Sequence, residues 1–180
     1  MDIETDFEKI FAIGDSKDEE NVNFRAFMKW YGGSLEEFDR IVHALYKQVE
    51  PHIDCTKCAN CCKNRNPLLI EEDISRCAAA KDMTPNEFKE KYLEEDEEYQ
   101  EGWFLKKLPC LFLKDNVCMI YEDRPETCRE YPHLHTKEQL TKTWKYVNNY
   151  SICPIMYNVV ELLKEHLDWD PESFDIDKMY

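Results

Sequence analysis

Apolar side chains recur at helical spacing over much of this chain, and short polar runs mark where each periodic stretch begins and ends. The clearest stripe is Leu35, Phe38, Ile41, Val42, Leu45, Tyr46 and Val49, which predicts an amphipathic helix. Ser34 stands at its N-cap with Glu37 three residues on, the pattern of a capping box, and Pro51 closes it. Val22, Phe24, Phe27, Met28 and Tyr31 predict an earlier helix, ended by Gly32-Gly33. Residues 1–20 carry only Ile3, Phe7, Ile10 and Phe11 as a short apolar pattern, a short helix or a frayed end. Further helices are expected from Glu71 to about Lys81 and from Thr84 to about Asp96. The second starts with Thr84 as N-cap, Pro85 in the first turn and Glu87 at N3. Lys137 to Asn149 leans to helix, and Pro154 opens a last helix through Ile155, Val159, Leu162, Leu163 and Leu167.

Between these stretches the period changes. Trp103-Phe104-Leu105, Cys110-Leu111-Phe112-Leu113 and Val117-Cys118-Met119-Ile120-Tyr121 read as strands, with a turn at Lys114-Asp115-Asn116. The expected fold is α+β, a mainly helical single domain with a small β-hairpin and a cysteine-lined metal site. Residues 1–50 form an N-terminal helical segment, 51–154 the cysteine-bearing core, and 155–180 a C-terminal helix and tail. Asp123 to Cys128 leads into a turn or short helix.

Nine cysteines change the picture: Cys55, Cys58, Cys61, Cys62, Cys77, Cys110, Cys118, Cys128 and Cys153. An odd number cannot pair completely within the chain. The start Met1-Asp2-Ile3-Glu4 lacks the basic and apolar parts of a secretory signal, and no apolar run reaches the ~18 residues of a membrane span. A cytoplasmic location is therefore expected, and in reducing surroundings dense cysteine points to metal. Cys55-x-x-Cys58-x-x-Cys61 can wrap one centre from a single loop, and the adjacent Cys62 can serve a second. Cys110, Cys118, Cys128 and Cys153 bring the candidate ligands to eight. Cys77, beside Ala78, Ala79 and Ala80, reads as a packing thiol.

The hairpin sets a condition. A two-residue turn at Asp115-Asn116 pairs Cys118 with Leu113 and turns Cys110 and Cys118 to opposite faces. A metal site shared by these two cysteines requires a three-residue turn or a bulge. Around the ligands, Arg124, Arg129, Tyr131 and His133 are expected to flank the site. For the two arginines the competing role is pairing with Glu122, Asp123, Glu126 or Glu130. Tyr121 is expected in the core or beside the ligands, His135 at the surface or beside the ligands, and His43 at the surface.

The net charge of −15 argues against nucleic acid as a partner. Four glycines, none in a glycine-rich turn after a strand, argue against a conventional nucleotide pocket. No Ser-His-Asp set or P-loop is present.

The ordered motifs resemble the CxxCxxCC cysteine-cluster family of zinc- or iron-chelating proteins, distantly related to flagellin lysine N-methylase. The matching residues are Cys55-x-x-Cys58-x-x-Cys61-Cys62, Pro109-Cys110-Leu111-Phe112-Leu113 and Cys118-Met119-Ile120-Tyr121-Glu122-Asp123-Arg124-Pro125. Cys128-Arg129-Glu130-Tyr131-Pro132 and Cys153-Pro154 complete them. The resemblance implies zinc or iron as the bound metal. With the ferredoxin-like spacing, the expectation is an iron–sulfur protein in redox, sensing or radical chemistry. The alternatives are a structural zinc protein that binds a protein partner, metal storage or delivery, and a lysine N-methylase-like enzyme using the cluster itself.

Overall fold

The computed structural model describes residues 2–95, 102–172 and 174. In chain order its elements are α1 (Phe7–Gly14), α2 (Asp18–Met28), α3 (Leu35–Val49), α4 (Cys55–Cys58), α5 (Asn60–Asn64), α6 (Glu71–Ala79) and α7 (Pro85–Tyr92). β1 (Leu93–Glu95), β2 (Trp103–Leu105), β3 (Leu113–Lys114), β4 (Val117–Cys118), α8 (Glu126–Glu130), α9 (Trp144–Tyr150) and α10 (Pro154–His166) follow. The protein is mainly helical with small antiparallel pairings, as its periodicity predicts. It divides into two compact units, Met1–Asp54 with Pro132–Tyr180, and Cys55–Tyr131. Each buries apolar side chains of its own, where a single domain was expected.

Local chemistry explains the helix ends. Ser34 Oγ accepts from Glu37 N–H at 3.1 Å and starts α3. Thr84 and Glu87 cap α7 reciprocally, with Pro85 in its first turn. That helix stops at Tyr92, short of Asp96, which lies outside the described residues. Leu93–Glu95 instead pairs antiparallel with Trp103–Leu105. The strands expected at Cys110–Leu113 and Val117–Tyr121 shrink to two residues each. Lys137–Asn149 becomes a 3-10 turn, Gln139–Lys142, followed by α9.

In the first unit, α10 packs on α1, α3 and α9, and α2 packs on α9. Ile10, Phe24, Phe38, Val42, Tyr146 and Leu163 are among its buried side chains. Helix α1 comes so close to Ser151 that a Cβ on Gly14 would lie 2.5 Å from the serine Cβ and 2.6 Å from its Cα. A backbone atom cannot swing aside. Gly14→Ala is therefore expected to cost about 2 kcal/mol of stability despite alanine's better helix propensity. Thermal unfolding would check this, and an unchanged or raised Tm would disprove it.

A polar mesh fixes the loop that follows Pro132. The buried Asp39 carboxylate accepts from the N–H groups of Glu138 (2.8 Å) and Gln139 (2.7 Å). Gln139 Nε2 and Lys145 Nζ both donate to the His133 carbonyl, at 3.0 and 2.8 Å. His43, expected at the surface, is half-buried and its Nε2 donates to the Thr136 carbonyl at 2.9 Å.

The second unit is built from short elements around a core of Leu69, Ile74, Phe88, Leu93, Leu105 and Phe112. Its two cysteine-bearing segments lie side by side. Leu69 and Trp103 exchange backbone hydrogen bonds at 2.8 and 3.0 Å, and the Asn66 carboxamide clasps Leu105 through both N–H and carbonyl.

Candidate metal centre

Side-chain placement in the second unit starts from the loop Cys55–Asn64, which folds as two short helices broken at Ala59. Ala59 has φ 50°, which breaks the helix between Cys58 and Cys61. Helix α4 rests against β4, the strand that carries Cys118. The Cys110 N–H donates to the Cys62 carbonyl at 2.8 Å and joins the two segments at their cysteines.

Cys128 is positioned from another direction. The Cys128 N–H donates to the Pro125 carbonyl at 2.9 Å in the first turn of α8. Asp73 on α6 holds that turn: its carboxylate, in a residue 1% exposed, accepts from Glu126 N–H (3.1 Å) and from Ile70 N–H (3.3 Å). It also pairs with Arg76, whose Nε donates to the Asp123 carbonyl. Thr127 Oγ donates to the Leu68 carbonyl at 2.8 Å. Asp73, Arg76 and Thr127 were invisible as positioning residues in the sequence. Asp73 reads there as one acid of an ordinary first helical turn, and its reach to Glu126 is purely tertiary.

Besides burial, the Cys62, Cys110 and Cys118 thiols each act to raise the Cys128 pKa, and Cys62 acts to raise those of Cys110 and Cys118. Burial first, then the neighbouring thiols of Cys110, Cys62, Cys118 and Cys77, pushes Cys128 up to about 12. Cys110 and Cys118 are raised by burial and by Cys62. Cys62 runs the other way, to about 7: the Cys61 thiol donates to it, and Lys63 and Arg124 add positive charge. Cys58 is raised by burial. Cys77 is wholly buried in the apolar core and pushed to about 12, chiefly by burial. Among the described residues, no three Cys, His, Asp or Glu side chains stand in an arrangement ready to hold a metal ion.

The hairpin condition comes out against its expectation. Leu113 pairs with Cys118 and Lys114 with Val117, around a two-residue turn with Asp115 at φ 50° and Asn116 at φ 63°. Neither the three-residue turn nor the bulge forms. Strand alternation does not set the Cys110 face, because Cys110 is not in a strand. Its carbonyl accepts from Leu113 N–H at 2.9 Å, closing a turn that breaks the alternation before it reaches the cysteine.

Arg124 stacks on Tyr121, its guanidinium carbon 3.7 Å from the ring centroid, and donates to the Tyr121 carbonyl at 2.8 Å. Among the described residues it has no carboxylate partner, and its charge reaches Cys62 and Cys118. Tyr121, expected in the core or beside the ligands, is 41% exposed. Arg129 is exposed on α8, and Tyr131 is half-buried at its end. Cys153, His133 and His135 belong to the other unit. There Cys153 is buried at the N-cap of α10, its N–H donating to the Asn149 carbonyl at 2.9 Å, and the His135 ring lies 6.1 Å from Tyr46. Among the described residues, no helix is long and apolar enough to cross a membrane.

A family model named CxxCxxCC, described as a "putative zinc- or iron-chelating domain", matches residues 54–154. Neither the curated proteins nor the solved structures contain a match to the chain.

Proposed function

The chain belongs to the CxxCxxCC family, and from that premise we propose that it is a metal-binding protein holding an iron–sulfur cluster on thiolates of the Cys55–Tyr131 unit. The observation that carries this reading is the meeting of the Cys62 loop with the Cys110–Cys118 segment, through the Cys62–Cys110 backbone bond and the packing of α4 on β4; Cys128 on α8 is the fourth thiol of the proposed set. The donor set fits: four thiols match the ligand count of an iron–sulfur cluster or a closed zinc site. Cys55, Cys58 and Cys61 stand in the same loop as Cys62 and supply further donors.

When bound, the cluster would supply electron transfer or sensing chemistry. The protein's own residues do the rest. The Cys62–Cys110 backbone bond keeps the two loops in register. Asp73 holds the turn that bears Cys128. Arg124, braced on Tyr121, places a permanent positive charge beside thiolates that would otherwise repel one another. Cys77 stays outside the ligand set, since it sits in the apolar core among Ile74, Ala78 and Phe88.

A structural zinc site, acting in a protein-interaction module, is the second reading. It is favoured by the brevity of the elements here: two- and three-residue strands and four- and five-residue helices. Such pieces gain more from a metal cross-link than long helices do.

Purification under exclusion of oxygen, with metal analysis, acid-labile sulfide and a visible spectrum, tests both. Iron with matching sulfide and a brown colour supports the cluster. Stoichiometric zinc without colour moves the protein to the second reading. A folded chain that holds neither metal sinks both. Cys128→Ser is expected to reduce bound metal by half or more. Cys77→Ala is expected to keep the metal and to cost about 1 kcal/mol from the small cavity it leaves. The reverse pattern would move Cys77 into the ligand set.

A further inference from the structure

Charge in this chain is distributed unevenly around the cysteines. Residues 55–70 contain Lys57, Lys63 and Arg65 and no acidic residue, and residues 102–114 contain Lys106, Lys107 and Lys114 and no acidic residue. All 38 Asp and Glu residues lie outside these two stretches, Glu94 and Glu95 of β1 standing opposite Phe104 and Trp103 at the edge of the second. The fold sets these two stretches side by side, through the Leu69–Trp103 bridge, the Asn66–Leu105 clasp and the Cys62–Cys110 bond. Lys57, Lys63, Lys106, Lys107 and Lys114 are all exposed. Among the described residues, Lys63, Arg65, Lys107 and Lys114 have no carboxylate partner. Apolar side chains lie open beside them: Leu108 is 38% exposed, Val117 47% and Met119 62%. Val117 stands directly opposite Lys114 in the hairpin.

A solvated surface needs no such segregation. In a chain of net charge −15, a basic, partly apolar island laid over the thiol-bearing loops is a surface shaped for an anionic partner. We infer that this island docks a short acidic segment of a partner protein, carboxylates on the lysines and apolar side chains on Leu108, Val117 and Met119. Charge complementarity selects this occupant over nucleic acid. A polyphosphate strand extending past the lysines would meet Glu94 and Glu95 on the strand paired with the second stretch, whereas a short peptide need not reach them. The docking surface goes beyond the metal reading and brings the partner against the cysteine loops.

The test uses the full chain, purified without oxygen, and two labelled probes of equal charge followed by fluorescence anisotropy. One is a short peptide of glutamates interspersed with leucines, and the other is a single-stranded DNA oligonucleotide. The peptide is expected to bind more tightly than the DNA and to weaken at least tenfold as salt rises from about 50 to 300 mM. A double variant, Lys107→Glu with Lys114→Glu, is expected to weaken peptide binding tenfold or more with metal content and helical content unchanged. Tighter binding of DNA, or equal peptide binding by the double variant, overturns the inference. Loss of metal in the double variant, with peptide affinity unchanged, also overturns it, because the lysines would then serve the thiolates. A chain that carries no metal but binds the peptide through these lysines keeps the docking surface and removes the metal reading, so the two fail separately.

Discussion

Lys164→Ala is expected to destabilise the helical unit by about 3 to 5 kcal/mol, the cost of breaking a buried ion pair from one side. Lys164 is 6% exposed, and its ammonium lies 2.7 Å from both Glu20 and Glu161. The rings of Tyr150, Trp169 and Phe24 surround it, with centroids 5.2, 5.3 and 5.8 Å away. Alanine would leave a gap among the aromatic rings and two carboxylates facing each other, with Lys17 alone among the described residues still bridging them. Denaturant unfolding followed by circular dichroism measures the loss, and a value under about 1 kcal/mol would mean that water already solvates the ammonium. The pH dependence has a definite sign. Burial works to raise the Glu161 pKa, but the charge and hydrogen bond of Lys164, the Tyr150 hydroxyl and Lys17 together hold it below the ordinary value. A carboxyl depressed in the folded state stabilises above its unfolded pKa of about 4.3, and that stability is lost as pH falls through the folded value. Without Lys164 the acid side of the stability curve should move to higher pH.

Asp73→Ala is expected to cost the cysteine-bearing unit about 3 to 4 kcal/mol. The substitution leaves the N–H groups of Ile70 and Glu126 without their acceptor, at about 1 to 3 kcal/mol for each that stays buried, and frees Arg76, which is partly solvated and adds little. The same change loosens the first turn of α8, so Cys128 should react with a thiol reagent at least several-fold faster in the metal-free chain. Asp73→Asn keeps one acceptor oxygen and should fall between. Unfolding free energies and thiol-labelling rates read both effects. A destabilised protein with unaltered Cys128 labelling would show that Asp73 supports the fold without positioning the cysteine.

The helices were the legible part of the fold. Their faces repeat at 3.6 residues, and their caps are local chemistry: Ser34 and Thr84 each find an N–H three residues on, whatever lies beyond. Strand lengths were less legible, since a two-residue strand has no period to detect. The hairpin shows the difference. Asp115-Asn116 announced a turn, but its two-residue form, and the second turn that takes Cys110 out of the sheet, depend on how Phe112 and Ile120 enter the core. His43 is half-buried where the surface was expected, and Tyr121 is exposed under Arg124 and not in the core, for the same reason. Polarity says what a side chain tolerates, and the neighbours decide what it meets.

The sequence by itself determined which residues cap the helices, the spacing of Cys55, Cys58, Cys61 and Cys62, the order of the later cysteines, and the family they define. These are properties of short stretches, whose geometry is fixed within a few bonds. Only the tertiary structure decided that the Cys62 and Cys110 backbones meet, that Asp73 anchors the turn of Cys128, and that two basic stretches 32 residues apart in the chain lie side by side. Those outcomes rest on contacts between residues distant in sequence, and they form only when burial of the core fixes the backbone that carries them.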